Sequence, residues 1–162
     1  MCEIRLDMTD DELRARIDTY IANIHQLRNQ LRNQIGLQFL DKRWFPSIRN
    51  DAFDQWKHII SNNIASLHTC GSVDDLIDML WNIKDSSGIV GIGEVAVHRT
   101  AEILANLWEL DMNANCWSMT CNFMNSFCCR NNITKEVLVE RVAAADDRLI
   151  EMTLMDRIIF VN

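Results

Sequence analysis

The chain has 162 residues, of which 48% are hydrophobic and 24% charged, and its formal net charge is −7. This composition excludes a disordered chain, and the length suffices for one domain that buries roughly two thirds of its unfolded surface. The charge is −3 over residues 1–81 and −4 over residues 82–162, which excludes a basic arm of the kind that binds DNA non-specifically.

The N-terminal residues 1–7 lack the basic and apolar regions of a signal peptide. No apolar run approaches the ~20 residues that a membrane-spanning helix needs. We therefore expect a cytoplasmic protein with no membrane partner. Its cysteines are then expected to be reduced thiols in or near a core; they lie at positions 2, 70, 116, 121, 128 and 129.

The first predicted element is a long amphipathic helix over residues 10–35. Thr9 followed by three acidic residues is a typical helix start, and Gly36 is a typical helix end. Apolar residues recur every seven positions at Ile17, Ile24 and Leu31. This spacing suits a helix that packs on its own domain and also one that self-associates in a short coiled coil.

Residues 36–50 are predicted to form a connection, and residues 28–57 carry a local excess of basic side chains, six against three acidic ones. Lys42, Arg43 and Arg49 lie close to Trp44 and Phe45. Basic and aromatic side chains in alternation are typical of a surface that meets a phosphate backbone and bases. The alternative is a loop anchored in the core by its two aromatic rings.

Two further helices are predicted before the middle of the chain. Asp51 is the expected cap of a helix that stops near Gly71, and its apolar face is Phe53, Trp56, Ile60, Ile64 and Leu67. Ser72, with Asp75 three positions later, predicts the start of a helix that ends at Lys84.

A helix that starts near Glu94 is predicted to be the central helix of the core, because apolar residues cover about half of its circumference. Its polar side is expected to carry His98, Arg99, Glu102 and Asn106. Another helix is predicted over about 116–129, and Thr134 is expected to cap the first of the C-terminal helices in residues 134–162. The predicted fold is a single all-α domain, residues 1–162, with six or seven helices.

The segment between the helices that end at Lys84 and start at Glu94 contains the sequence Gly91-Ile92-Gly93. Residues 73–110 resemble the helix-hairpin-helix element of DNA repair and recombination proteins. In that family the backbone amides of the hairpin bind DNA phosphates without reading sequence. The resemblance implies that amides around Gly91, Ile92 and Gly93 have this role, with Lys42, Arg43 and Arg49 supplying charge.

A second resemblance is to a family of small, largely uncharacterised prokaryotic proteins built around Gly-Ile-Gly-Glu-Leu-x-Val-Tyr-Asp-Thr-Ala. Residues 91–101 match this pattern, except that Val95, His98 and Arg99 stand in place of Leu, Tyr and Asp. The C-terminal residues 155–161 are also similar to the end of that family, which implies no particular activity.

These features lead to one expected function and two alternatives. The first is a small binding protein, not an enzyme, that contacts the DNA or RNA backbone weakly and without sequence preference. Glu94 is acidic, and residues 82–162 around it carry a net charge of −4. The first alternative is therefore an acidic regulatory or immunity-type module that binds another protein. The second is a DNA glycosylase, in which Asp111 would be the catalytic carboxylate, eighteen residues after Gly93.

The sequence predicts no metal site and no cofactor. The spacing of the cysteines between residues 116 and 129 does not match the closely spaced pairs of structural zinc sites. The glycine-rich segment also lacks the lysine that a nucleotide-binding P-loop needs.

Overall fold

The computed structural model describes residues 40, 42–111, 113, 116–118 and 122–145, and five positions near the N-terminus. The described part contains six α-helices, a short 3-10 turn at Lys42–Trp44 and no strand. The helices are α1 (Asn50–Asn62), α2 (Ile64–Leu67), α3 (Val73–Ser87), α4 (Glu94–Leu107), α5 (Asn122–Asn131) and α6 (Lys135–Ala145). The all-α prediction is therefore confirmed for these residues.

The predicted helix over residues 10–35 lies mostly outside the described residues. Its described positions, Asp11, Ala15, Asp18, Thr19 and Ala22, are all helical and exposed. The Thr19 hydroxyl donates a hydrogen bond to the carbonyl of Ala15 at 3.0 Å, which is the one-turn spacing of a helix.

The single helix predicted from Asp51 to about Gly71 is wrong, because the chain breaks it at Asn63. The Asn63 backbone N–H bonds Ile60 in a tightened turn, and its side-chain amide donates to the carbonyl of Ile59 at 2.8 Å. An asparagine side chain that bonds nearby backbone competes with the helix in this way. The cap is also different, since Arg49 occupies the N-cap position and Asp51 lies in the first turn.

The start of α3 is as the sequence predicts, because the Ser72 hydroxyl accepts a hydrogen bond from the Asp75 N–H at 3.1 Å. The predicted end at Lys84 is wrong, and the helix continues to Ser87. Gly88 ends it in the left-handed conformation at φ 68°, which glycine adopts without a steric penalty. Helix α4 begins at Glu94, as predicted.

The C-terminal helices differ from the prediction mainly in their bounds. Helix α5 starts at Asn122, six residues after the predicted start, and ends at Asn131. Thr134 caps α6 as predicted, since its hydroxyl accepts from the Val137 N–H at 3.2 Å. The rest of the predicted C-terminal helices, from residue 146 to residue 162, lies outside the described residues.

Helix α4 is the centre of the core, as predicted, but it has no broad polar side. Eleven of its fourteen residues are buried, and Arg99, Glu102 and Asn106 are among them. The prediction that these three residues lie with His98 on a polar surface is therefore wrong. Of the four residues, only His98 is partly exposed. The reason is that α4 shares one hydrophobic core with α3, α1 and residues 42–48, whose large buried side chains include Phe45, Trp56, Leu76 and Leu80.

Two hydrogen bonds show how the buried polar groups of α4 join it to its neighbours. The Trp56 indole N–H of α1 donates to the Thr100 hydroxyl at 3.0 Å. The Arg99 guanidinium donates to the carbonyl of Trp44 at 2.5 Å. Since buried polar groups are costly unless they are hydrogen-bonded, these contacts fix α1 and residues 42–48 against the central helix. Within the described helices, none is long and apolar enough to cross a membrane.

Candidate functional site

The connection from Gly88 to Gly93, here called the glycine turn, joins α3 to α4 in six residues. Gly88 and Gly91 have φ values of 68° and 90°, in the region that residues with a side chain rarely adopt. Ile92 is buried, whereas Gly91 and Gly93 are exposed. The buried isoleucine therefore anchors the turn and leaves its glycine backbone at the surface.

The glycine turn packs against the start of α1. A Cβ atom added at Gly91 would lie 3.3 Å from the Cβ of Ala52, which is tighter than an ordinary contact. The absence of a side chain at 91 and the small one at 52 let the two backbones approach. This contact brings residues about forty positions apart in the sequence to one surface.

A cavity of about 760 Å³ opens between these two elements, and we call it the α1 groove. Its volume lies within the range of roughly 300–1,000 Å³ that is usual for ligand sites. The lining residues are Arg49, Asp51, Ala52, Asp54, Gln55, His58 and Ile59 from α1 and its cap, and Ser87, Gly88, Ile89, Val90 and Gly91 from the turn.

The α1 groove has a net charge of −1, because one arginine, Arg49, and two aspartates, Asp51 and Asp54, line it. Arg49 is not an isolated cation, because its Nε lies 3.4 Å from Oδ1 of Asp51 and its Nη2 lies 3.5 Å from Oδ2. Both side chains are well exposed, at 85% and 65%, so this ion pair adds little stability. It does offset the charge that Arg49 would present to a polyanion.

The apolar lining of the groove comes from the glycine turn and from Ile59 of α1. Val90 is 85% exposed, and among the described residues only one other large hydrophobic side chain, Val137 at 48%, is classed as exposed. Ile59 and Ile89 are partly buried and pack against the core. The groove therefore offers an apolar wall beside a row of polar α1 side chains.

The predicted nucleic-acid residues do not form one cluster around the groove. Arg49 and Gly91 line it together. Lys42 does not line it, and its ammonium donates to the carbonyl of Phe45 at 2.8 Å. Arg43 lies in the 3-10 turn, and its side chain is outside the described part. Ile92 is buried and Gly93 precedes α4, so these two residues lie beyond the groove lining.

Asp111, the residue of the glycosylase alternative, is exposed and follows the C-terminal end of α4. With a rise of 1.5 Å per residue, the fourteen residues of α4 separate it from the glycine turn by about 20 Å. The turn and Asp111 are therefore at opposite ends of the central helix.

The described cysteines are thiols with different exposure. Cys116 and Cys128 are buried, Cys70 is half-buried and Cys129 is exposed. Burial raises the pKa of the Cys128 thiol, and burial together with Asp75 raises the pKa of Cys70. Raised values disfavour the thiolate that metals and electrophiles require. In the described part of the chain, no group of three or more His, Cys, Asp or Glu is placed to hold a metal ion.

The sequence predicts Asp51 as a helix cap and counts Asp51 and Asp54 among the acidic residues of 28–57, but it does not indicate Asp54, Gln55 and His58 as site residues. Their spacing of three and four residues places them on one face of α1, and this spacing predicts a shared polar face from the sequence alone. What the spacing does not show is that this face borders the glycine turn. That follows only from the contact between Gly91 and Ala52.

The chain matches no family model, and no curated protein or solved structure is significantly similar to it.

Proposed function

We propose that this protein is a binding protein that contacts another protein through the α1 groove. One observation carries the proposal: a groove of suitable size combines an 85% exposed valine with charged and amide side chains. Exposed apolar groups bordered by polar ones are typical of protein interaction sites. The acidic excess of the groove and of the whole chain favours this function over binding to a polyanion.

The test uses the two exposed valines as a matched pair. Peptides selected from a random display library on the full chain would be measured against Val90→Asn and Val137→Asn by fluorescence anisotropy. A neutral polar side chain at the groove rim should weaken binding roughly tenfold or more, because the apolar contact is lost and no new charge is introduced. The same change on α6 should have little effect. Equal binding to Val90→Asn and to the unchanged protein would contradict the proposal.

A second candidate is contact with a nucleic-acid backbone, for which we propose that α3, the glycine turn and α4 act as a helix-hairpin-helix element. The supporting observation is that Gly91 and Gly93 are exposed immediately before the N-terminus of α4. The first N–H groups of a helix have no partner within that helix, and the helix dipole favours an anion there. Arg49 is the predicted basic residue that shares a surface with Gly91.

Salt dependence separates the two candidates. Binding to duplex and single-stranded oligonucleotides would be measured at about 50 mM salt and above, because phosphate contacts predict a steep loss of affinity with salt. Salt-sensitive binding that Gly93→Asp abolishes would support the second candidate, because Gly93 has an ordinary backbone conformation and open space, so the added charge does not disturb the fold. No binding to either oligonucleotide at the lowest salt concentration would exclude it.

A further inference from the structure

Two carboxylates line the α1 groove, and among the described residues only one of them lies within ion-pair distance of a cation. Asp51 has both oxygens close to the Arg49 guanidinium. Asp54 is exposed and lines the same groove one turn further along α1. Within the described part of the chain, no cation lies within ion-pair distance of Asp54. The acidic excess of the groove is therefore located at Asp54.

The apolar part of the groove lining is suited to an aliphatic chain. Ile59 lies on α1, while Ile89 and Val90 lie on the glycine turn. Lysine and arginine side chains pack their apolar stems on such surfaces while the charged group reaches a polar partner. The groove thus places a hydrocarbon surface and an unneutralised carboxylate in one cavity. An anionic or a purely apolar segment would satisfy only part of this lining.

We infer that the α1 groove binds a cationic peptide segment of the partner, with an arginine or lysine paired to Asp54 and its stem on Ile59, Ile89 and Val90. This inference rests on the proposed function and names the chemistry of the partner. Charge complementarity selects the occupant, because the groove and the whole chain are both acidic. An arginine head group suits the site best, since it forms two parallel hydrogen bonds with a carboxylate.

The test compares three labelled hexapeptides that share two leucines and carry two arginines, two glutamates or two glutamines. We expect the full chain to bind the arginine peptide, and to bind it less well as salt is raised. Asp54→Asn should weaken this binding by about tenfold, because it removes the charge and keeps the shape of the side chain. Asp78→Asn, an exposed aspartate on α3 outside the groove, is the matched control and should leave it unchanged.

The outcomes separate this inference from the proposed function. Binding of the glutamate or glutamine peptide as tightly as the arginine peptide would overturn the inference. So would an affinity for the arginine peptide that Asp54→Asn does not alter. If peptides of another class bind and lose affinity with Val90→Asn, the proposed function stands and only the cationic partner is wrong. If no peptide binding responds to Val90→Asn, the groove is not the contact surface and both fail.

Discussion

At the scale of single residues, the hydroxyl of Thr100 has two hydrogen-bonding roles inside the core. It accepts from the Trp56 indole at 3.0 Å and donates to the carbonyl of Ala96 at 2.7 Å. The side chains of Thr100 and Trp56 are both fully buried. Thr100 therefore supplies the hydrogen-bond acceptor that the buried indole N–H of Trp56 needs.

Thr100→Val should destabilise the protein by about 1–3 kcal/mol, because it keeps the shape of the side chain but removes the acceptor of a buried N–H. Urea unfolding measures this change. In a Trp56→Phe background, which has no indole N–H, the same substitution should cost much less. If the two costs are equal, the hydrogen bond does not contribute to stability.

At the scale of elements, the glycine turn combines three different constraints on its glycines. Gly93 has an ordinary backbone conformation and open space around it. Gly88 has a positive φ but also open space. Gly91 has a positive φ and a close neighbour in Ala52. The three positions should therefore respond differently to the same substitution.

Substitution by alanine should reduce the free energy of unfolding in the order Gly93, Gly88, Gly91, from the smallest effect to the largest. Gly93→Ala should change it by less than about 0.5 kcal/mol, and Gly88→Ala should cost about 1–2 kcal/mol because of its left-handed backbone. Gly91→Ala adds the contact with α1. Thermal or urea unfolding ranks the three, and adding Ala52→Gly should recover part of the Gly91→Ala loss. A larger effect at Gly93 than at Gly91 would contradict the geometry.

The helices with local signals were the predictable part of the fold. Ser72, Glu94 and Thr134 mark starts that the structure contains. The break at Asn63 was not predicted, because the apolar spacing continues through it to Leu67. The predicted end of α3 at Lys84 is three residues too early, because the helix continues to Ser87 and Gly88 ends it.

The candidate site was predictable only in part. The glycine turn itself is visible in the sequence, and so is the basic character of Arg49. The α1 face that borders the turn depends on a contact between residues 52 and 91, and no local pattern encodes such a contact. Burial of Arg99 and Glu102 was missed for the same reason, since charged residues are normally assigned to a solvated face.

At the scale of the whole molecule, Arg99 links the segment before α1 to the centre of the core. Its guanidinium bonds the Trp44 carbonyl, and residues 42–48 place the buried rings and chains of Phe45 and Ile48 in the same cluster. This link joins parts of the chain that are 55 residues apart. The attachment of residues 42–48 therefore depends on one side chain of α4 as well as on apolar burial.

Arg99→Met should let residues 42–48 open more often, because the hydrogen bond to Trp44 is lost while most of the side-chain volume is kept. A loss of about 1.4 kcal/mol in the local opening energy makes trypsin cleavage after Arg43 about tenfold faster. Cleavage after Lys57, within α1, is the internal reference and should change much less. The matched control is Arg141→Met on the exposed surface of α6. Equal acceleration at both cleavage sites would show that the substitution destabilises the whole molecule instead.

Because α4 is so deeply buried, hydrogen exchange at its backbone amides can be used to measure the stability of the whole protein. A backbone amide exchanges its hydrogen with solvent only when the structure that covers it opens. The most deeply buried amides exchange only when the whole protein unfolds. Eleven buried residues lie in α4, so its slowest amides are the ones that report complete unfolding. Their exchange rates in native buffer measure the total free energy of unfolding, without any denaturant.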